Sequence, residues 1–445
     1  MTYTARIAAF SGATFLLTAL LVLFGPRGAP MTLAARAPNG QEVAVGAAIS
    51  MTFSRPVDRA AAEASFRIAP PAPGRFFWEE RTLTFRPTQP LSPETDYSVS
   101  FGEELRDAEG RPVRAALGWG FRTRGPRLLV LRATPAGGSE LWLVAPTGEG
   151  ARKLLDAPGG IGEVVMAPDG TRAAYVEQRG LERSALMLID LERGATSPLV
   201  DDEAASAAAP AWTGPGDFIA FERRALADGR LGVPRVWLAQ PDGTLLGPLV
   251  GGDGSDISYA PAWSPDGNSV AFLDGLSQAL KVYSFFTDAV TELPATSGER
   301  PAWLPDGSAL VYSGAEVGAA GLSQRLRLVT LGEAPATRDL TDGAAAELTP
   351  AIAPGGEAVA FTRRGPGGPE GRIWLVSASG GPARPLSAAG PHQDTQPAWS
   401  PDGRLVAFIR SSAAGPLQSQ AVVVDTATGE ETVVLGDAVQ AVWAP

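Results

Sequence analysis

Few side chains in this sequence could carry out chemistry, and most of them are carboxylates. Cysteine is absent and the one histidine is His392, which excludes disulfides, thiolate nucleophiles and multi-histidine metal sites. No serine or cysteine dyad accompanies His392, so we interpret it as a surface residue. The acidic stretches 201–203 and 253–256 lack EF-hand spacing and are interpreted as solvated turns rather than calcium sites. The sequence therefore predicts no catalytic residue, no cofactor and no metal.

One set of polar residues occupies a fixed place, within a few residues ahead of a recurring phrase that starts with Pro-Ala-Trp. If each phrase begins a strand beside a central channel, these residues ring the mouth of that channel. Their mostly acidic or polar character favours a cation or a basic partner, although a merely solvated channel mouth would have the same composition. The predicted binding site consists of Glu163, Asp256, Tyr259, Glu299, Arg300, Glu347, His392, Asp394 and Gln396.

The recurring phrase defines the elements that must position these residues. Its clearest copies are PAWSPDGNSVAFLD, PAWLPDGSALVYSG and PAWSPDGRLVAFIR. Counting the weaker copies, its Trp position recurs every 40 to 51 residues, at Met166, Trp212, Trp263, Trp303, Ile352, Trp399 and Trp443. A period of this length built from short strands is typical of a β-propeller, with one four-stranded blade per repeat.

The two ends of each predicted blade differ in their loops. The Pro-Asp-Gly triplet predicts a turn between the first two strands, because Pro presets φ, Asp bonds back to the backbone and Gly accepts a positive φ. Loops at the other end, such as 223–235 and 314–325, are longer and differ from repeat to repeat. Since recognition usually lies on variable loops of a rigid scaffold, the channel mouth on this face is the expected working face.

The blade count follows from the two ends of the repeat region. Residues 128–131, 141–144 and 152–155 match the second, third and fourth strands of a blade that lacks its first strand. The terminal fragment AVWAP is a first strand that lacks its blade. Pairing the two removes an open sheet edge. The sequence thus predicts an all-β fold with a seven-bladed propeller over residues 127–445, closed by the C-terminal strand.

Residues 29–124 predict a small β-sandwich, without a helical period. Alternating runs bounded by turn signals place strands at 49–53, 82–85, 97–101 and 118–121. The segments APNGQEVAVGAAISMTFSRPVD, TLTFRPTQPLSPETDYSVSF, LRDAEGRPV and GWGFRTR resemble the bacterial Ig-like domain of surface-layer and other cell-surface proteins. The resemblance implies a spacer or adhesion module. In it, Trp78, Phe85 and Phe121 would fill the core, and Tyr97 would hold a corner.

The propeller region has its own resemblance. Its SPDG phrases, each followed by an AF-type strand and then a WLV-type strand, resemble the propeller of TolB and other PD-type, WD-like repeats over residues 127–445. These motifs are diagnostic of fold and say little about activity. In prolyl oligopeptidase relatives such a propeller gates an α/β-hydrolase domain, but no G-x-S-x-G elbow occurs in this sequence, so that enzyme class is set aside.

The N-terminal segment 1–28 predicts a membrane anchor or a signal. Residues 7–24 are uncharged and mostly apolar, long enough as a helix to cross the hydrocarbon core. Arg6 ahead of them favours a cytoplasmic N-terminus and an exported remainder. Cleavage by a signal peptidase is the alternative, but Arg27 and Pro30 stand where small residues are required. We therefore expect a single-pass membrane protein, with residues from about 29 onward outside the cytoplasm.

Charge and composition narrow the functional classes. A net charge of −11 argues against nucleic acid, which requires a basic face. The sequence favours a non-catalytic binding or scaffold protein of the cell envelope whose partner is a protein or an envelope polymer. The alternative is a carbohydrate-active enzyme, a polysaccharide lyase or hydrolase, in which carboxylates such as Glu163 and Glu347 perform acid–base work. A sensor coupled through the anchor is a third possibility, with a cytoplasmic tail of only a few residues.

Overall fold

The computed structural model describes residues 31–88, 91–113, 117–250, 256–295, 298–318, 321–332, 335–343, 345–365, 370–412 and 418–444. The predicted membrane helix 7–24 lies outside the described residues. Within those ranges, no helix has the length and apolar character needed to cross a membrane. The chain forms two compact units, one made mostly of the residues before Thr123 and one that includes Thr123–Pro445.

The N-terminal unit is a sandwich of two four-stranded antiparallel sheets. Its strands are β1 (Leu33–Ala37), β2 (Gly40–Val43), β3 (Ile49–Phe53), β4 (Phe66–Ala69), β5 (Gly74–Glu79), β6 (Thr82–Pro87), β7 (Asp96–Phe101) and β8 (Gly118–Thr123). One sheet has the order β1-β3-β6-β5 and the other the order β2-β8-β7-β4. All four predicted strands are present, and four more pair with them.

Strand alternation explains how this unit builds its core. In β3, Ile49, Met51 and Phe53 are fully buried while the residues between them are only partly buried, as a period of two requires. Three of the predicted packing residues are buried, and two of them stack on each other. These three residues are Phe85, Tyr97 and Phe121.

Two features of the N-terminal unit differ from the sequence-based expectation. Trp78 is only half-buried, because its indole N–H donates to Glu63 Oε1 at 2.7 Å and so stays near the surface. A short helix, α1 (Arg59–Ser65), was not predicted. Asp58 caps it by accepting a hydrogen bond from Ala61 N at 3.0 Å. A helix of seven residues is too short to show a helical period in the sequence.

The second unit consists of consecutive antiparallel sheets. Sheet 1 contains β9 (Arg127–Ala133), β10 (Ser139–Val144), β11 (Arg152–Ala157) and β37 (Ala438–Ala444). Sheet 2 contains β12 (Ile161–Met166), β13 (Arg172–Gln178), β14 (Ser184–Asp190) and β15 (Thr196–Val200). Sheet 3 contains β16 (Ala205–Trp212), β17 (Ile219–Ala227), β18 (Arg230–Leu231), β19 (Arg235–Ala239) and β20 (Leu245–Pro248). Sheet 4 contains β21 (Ser258–Trp263), β22 (Ser269–Asp274), β23 (Ala279–Ser284) and β24 (Ala289–Ala295).

The remaining sheets follow the same plan. Sheet 5 contains β25 (Ala302–Trp303), β26 (Ala309–Gly318), β27 (Gly321–Thr330) and β28 (Ala336–Asp339). Sheet 6 contains β29 (Ala346–Ile352), β30 (Ala358–Arg364), β31 (Gly371–Ser377) and β32 (Arg384–Pro385). Sheet 7 contains β33 (His392–Trp399), β34 (Leu405–Ser412), β35 (Ser419–Asp425) and β36 (Glu431–Gly436). A single parallel pair, Gly371 with Gln393, joins sheets 6 and 7.

The recurring phrase corresponds to the first strand, the turn and the second strand of sheets 2 to 7. Its aromatic position lies on the second strand and is buried in every sheet, at Tyr175, Phe221, Phe272, Tyr312, Phe361 and Phe408. The Pro-Asp-Gly turns have the predicted geometry: Gly267 and Gly403, for example, have φ values of +75° and +72°. A Cβ on Gly267 would lie 3.5 Å from Pro215 Cδ in the preceding turn, so successive turns also pack on each other.

The apolar faces of the sheets are buried against the neighbouring sheets. Each hydrophobic cluster described in this unit combines residues of two consecutive sheets. One cluster joins the last sheet to the first, and includes Val434 of sheet 7 with Leu128 and Trp443 of sheet 1. Trp443 pairs with Leu128 in an antiparallel ladder between β37 and β9. Its indole N–H donates to Ala398 O of sheet 7 at 2.9 Å.

Replacement of Trp443 tests how much the contact between sheets 7 and 1 stabilises this unit. Trp443 is 7% exposed, so we expect Trp443→Ala to lower the free energy of unfolding by about 3–5 kcal/mol through the loss of a large buried side chain. Val433→Ala is the control, because Val433 is 55% exposed on an outer strand and its truncation should change stability by less than about 0.5 kcal/mol. Chemical denaturation measures both variants. Equal effects would contradict the packing described here.

Candidate binding site

The first strand of most sheets contains a β-bulge just before the proline of the phrase. The residue preceding that proline has a positive φ in four sheets, at Ala209, Ala260, Thr349 and Gln396. The ladder shifts its register at the same point. Proline has no N–H to donate to the ladder, and a bulge accommodates that loss. Residues predicted to precede the first strand, such as Glu347 and Asp394, therefore lie within it, upstream of the bulge.

Sheet 5 departs from this pattern. Its first strand, β25, contains only Ala302 and Trp303, so Glu299 and Arg300 lie outside the ladder. Arg300 Nη1 donates to Glu163 Oε1 at 2.7 Å. Glu163 belongs to β12 of sheet 2, which is not a neighbour of sheet 5 in the order of sheets. This ion pair therefore links the segment before β25 to the first strand of sheet 2.

A cavity of about 520 Å³, here called the channel cavity, lies where these first strands converge. Its polar lining residues are Glu163, Glu299, Arg300, Thr349, Gln396 and Gln440. Four of the nine predicted residues are among them. Arg300 also lines a second cavity of about 430 Å³, whose other lining residues include Trp212 and Trp263. Arg300 therefore lies between the two cavities.

Thr349 and Gln440 are not among the predicted residues, although the sequence contains a signal for them. Glu163, Arg300, Thr349, Gln396 and Gln440 all stand three positions before the Trp position of their repeat. That position is alanine in sheets 3 and 4, which do not contribute to the channel cavity. Gln440 binds the first strand of the next sheet: it accepts from Val164 N at 2.9 Å and donates to Val164 O at 3.0 Å. The position three residues before the Trp position of each repeat thus identifies most of the polar residues that line the channel cavity.

Glu347 does not lie at the channel mouth. Its side chain is completely buried. Arg363 Nε donates to Glu347 Oε1 at 3.0 Å, and the hydroxyl of Thr341 donates to the other carboxylate oxygen. The guanidinium of Arg363 also lies over the ring of Trp374, 4.5 Å from its centroid. A completely buried carboxylate with these partners is not accessible to a ligand.

Asp394 is completely buried as well, in a charged network within sheet 7. Arg410 donates to both of its oxygens, at 2.8 and 2.9 Å, and to Glu431 at 2.7 Å. Burial opposes the charged guanidinium, but the hydrogen bonds to Asp394 and Glu431 outweigh it and raise the pKa of Arg410. His392 is partly exposed: its side chain is 16% exposed, and its Nε2 lies 3.6 Å from Asp394 Oδ2.

The two remaining predicted residues belong to sheet 4 and its approach. Asp256 Oδ2 accepts a hydrogen bond from Ser258 Oγ at 2.9 Å, and Arg235 Nε lies 3.6 Å from its other oxygen. Tyr259 packs against the hydrophobic cluster shared by sheets 4 and 5. Neither residue lines the channel cavity.

The acidic stretches offer no metal site among the residues that the structure describes, since no group of three or more His, Asp or Glu side chains converges there. Asp201 pairs with Arg183, and Asp202 pairs with Arg223. Hydrogen bonding from Arg223 is the main cause of the lowered pKa of Asp202. These carboxylates are therefore occupied by arginines.

Glu299 is in a different state from the paired carboxylates. Thr349 N donates to Glu299 Oε2 at 2.6 Å. Burial nevertheless raises the pKa of Glu299, and this hydrogen bond and the charge of Arg364 only partly offset the effect. Among the described residues, no cation lies within 4.0 Å of this carboxylate.

Family comparisons agree with this architecture. The family model described as the TolB beta propeller domain matches residues 235–442, and that of the bacterial Ig-like domain matches residues 29–123. Residues 29–123 thus belong to the bacterial Ig-like domain family, and residues 235–442 belong to the TolB propeller family. No curated protein matches it.

Solved structures resemble the TolB-like propeller in fold. TolB from Acinetobacter baumannii is 15% identical, with 80% of this chain and 81% of that chain covered and a TM-score of 0.46. A structure of prolyl endopeptidases is 15% identical over 80% of this chain and 49% of that chain, with a TM-score of 0.52. A puromycin-hydrolyzing peptidase of Mycobacterium tuberculosis is 16% identical over 71% and 54%, with a TM-score of 0.52. At these identities the two peptidase structures, each with a TM-score of 0.52, are similar to this chain in fold alone.

The buried network of sheet 7 makes a testable contribution to the TolB-like propeller. We expect Asp394→Ala to lower the free energy of unfolding by about 3–5 kcal/mol, because it removes one partner of a buried ion pair. The double variant Asp394→Ala/Arg410→Met should cost less than the sum of the two single changes. Glu316→Ala is the control, since its ion pair with Arg327 is exposed and contributes about 1 kcal/mol or less. Additive effects in denaturation measurements would show that the network is not coupled.

Proposed function

We propose that this protein is a non-catalytic binding protein of the cell envelope. In this proposal, residues 7–24 anchor it in the membrane, the Ig-like domain acts as a spacer and the propeller holds a partner. The partner is a protein or an envelope polymer. The observation that carries the proposal is the channel cavity, which brings Glu163, Glu299, Arg300 and Gln396 together.

A rigid, closed scaffold around this cavity is part of the proposal. We infer a seven-bladed ring closed by β37. The ladder between β37 and β9 supports it, as does the hydrophobic cluster shared by sheets 7 and 1. The β26–β27 hairpin of sheet 5 extends well past β25 and β28, with pairing up to Gly318–Gly321. Projecting loops on a rigid ring suit recognition of a partner.

The arrangement of carboxylates favours binding over acid–base catalysis. The enzyme hypothesis relied on carboxylates such as Glu163 and Glu347 acting together. Glu347 is buried and paired with Arg363 inside sheet 6, while Glu163 is paired with Arg300 in the channel cavity. A general acid and base must both reach the same reacting group, and these two side chains do not share a cavity. The alternative of a carbohydrate-active enzyme therefore has less support.

Filling the channel cavity should abolish partner binding. Val439 lines the cavity and is 40% exposed, so Val439→Trp should reduce the available volume without disturbing the core. The matched control is Val433→Trp, the same change on the exposed outer strand of sheet 7. A photo-crosslinking residue at Gln396 in cells should yield an adduct with the partner in the control and none in Val439→Trp. Equal adducts in both variants would move the binding site elsewhere.

The anchor is tested at the N-terminus of the mature protein. Because small residues suitable for cleavage are missing after Phe24, we expect peptides from upstream of Gly25 to be recovered from the membrane fraction by mass spectrometry. Replacing Leu17 and Leu21 by Arg should release the protein from that fraction, since each charge in the apolar stretch opposes membrane insertion by about 2.5–3.5 kcal/mol. A mature N-terminus between Ala29 and Ala37 would contradict the anchor.

A further inference from the structure

The charges that line the channel cavity do not balance. Two carboxylates, Glu163 and Glu299, and one guanidinium, Arg300, border the space. Arg300 is paired with Glu163 at 2.7 Å, so these two charges offset each other. Glu299 is left with the backbone N–H of Thr349 as its contact, and no cation of the described residues lies within 4.0 Å of it. The cavity thus presents one negative charge that the protein does not pair locally.

The surroundings of Glu299 make this charge a strong attractor for a cation. Its carboxylate is removed from much of the solvent, and desolvation raises its pKa. Thr349 N–H donates to one oxygen, and the other oxygen accepts no hydrogen bond from the residues that the structure describes. Arg364, the charged neighbour from β30, acts from beyond ion-pair distance. A partly desolvated carboxylate with spare hydrogen-bonding capacity gains more from a bound ammonium or guanidinium than a solvated one does.

We propose that the channel cavity receives a basic segment of the partner protein, and that Glu299 binds the lysine or arginine side chain which that segment inserts. This proposal rests on the function proposed above, because it assigns the occupant of the same cavity. An acidic segment would meet both Glu163 and Glu299 and would have to take Arg300 from Glu163. The net charge of −11 also favours the approach of a basic partner.

The test uses the full-length protein and synthetic peptides that differ at one side chain. The probe is acetyl-Gly-Ser-Gly-Lys-Gly-Ser-Gly-amide, whose blocked ends remove other charges. Its counterparts replace lysine by norleucine or by glutamate. We expect the lysine peptide to bind about tenfold more tightly than the norleucine peptide in calorimetry or ligand-observed NMR, which corresponds to one good ion pair. The glutamate peptide should bind more weakly than either.

Two isosteric variants assign the effect to one carboxylate. In Glu299→Gln the side-chain oxygen still accepts from Thr349 N, so the fold is preserved while the charge is removed. The preference for lysine over norleucine should then fall to within about twofold. Glu430→Gln, an exposed change in the turn before β36, should retain the full preference.

The outcomes separate this inference from the proposed function. If the lysine and norleucine peptides bind equally and Val439→Trp blocks both, the cavity is a binding site but Glu299 does not select a cation. A preference for the glutamate peptide would reverse the assigned chemistry. A lysine preference that survives in Glu299→Gln, or the absence of millimolar binding by the lysine peptide, would also overturn the inference. Crosslinking from Gln396 that persists in Val439→Trp would contradict the proposed function itself.

Discussion

The structure of the propeller unit depends on one constraint: each sheet can bury its apolar faces only against the sheets beside it. Sheets in the middle of the chain satisfy this with their sequence neighbours. The first and last sheets have no such second neighbour, and β37 resolves the problem by pairing with β9. Trp443 then packs into the cluster that sheets 7 and 1 share and donates to Ala398 O. Residues 439–442 of β37 also line the channel cavity, so this strand contributes both to the packing and to the candidate site.

Arginines at the ends of second strands play a structural part that their charge alone would not suggest. Arg363 and Arg410 lie near the C-terminal ends of the second strands of sheets 6 and 7. Each binds a completely buried carboxylate on the first strand of the same sheet. Arg363 also stacks over Trp374. A buried carboxylate without a partner would be strongly destabilising. These ion pairs therefore hold the part of each first strand that precedes the bulge. The predicted acidic residues are therefore of two kinds: Glu347 and Asp394 are buried in ion pairs, whereas Glu163 and Glu299 line the channel cavity.

The candidate site lies beside the sheet whose first strand is shorter than those of the other sheets. The first strand of sheet 5 has only two residues, and Glu299 and Arg300, which precede it, are not paired in the ladder. Arg300 is thereby able to reach Glu163 of sheet 2, and Glu299 is able to bind Thr349 N of sheet 6. Local departures from an otherwise consistent pattern are where natural proteins usually place function. In this chain the departure places a carboxylate of raised pKa beside an open cavity.

The sequence by itself determined the two domain types and the repeat. These depend on local signals, namely turn residues, alternation and the recurring phrase, which act within one repeat. It also identified the neighbourhood of the site, because position within a repeat fixes position around the channel. The tertiary structure decided which acidic residues face the cavity. Glu299 and Glu347 stand at similar places before their phrases, yet one borders the cavity and the other is buried against Arg363. That difference arises from a bulge and a shortened strand, whose effect on a side chain depends on contacts with residues distant in sequence.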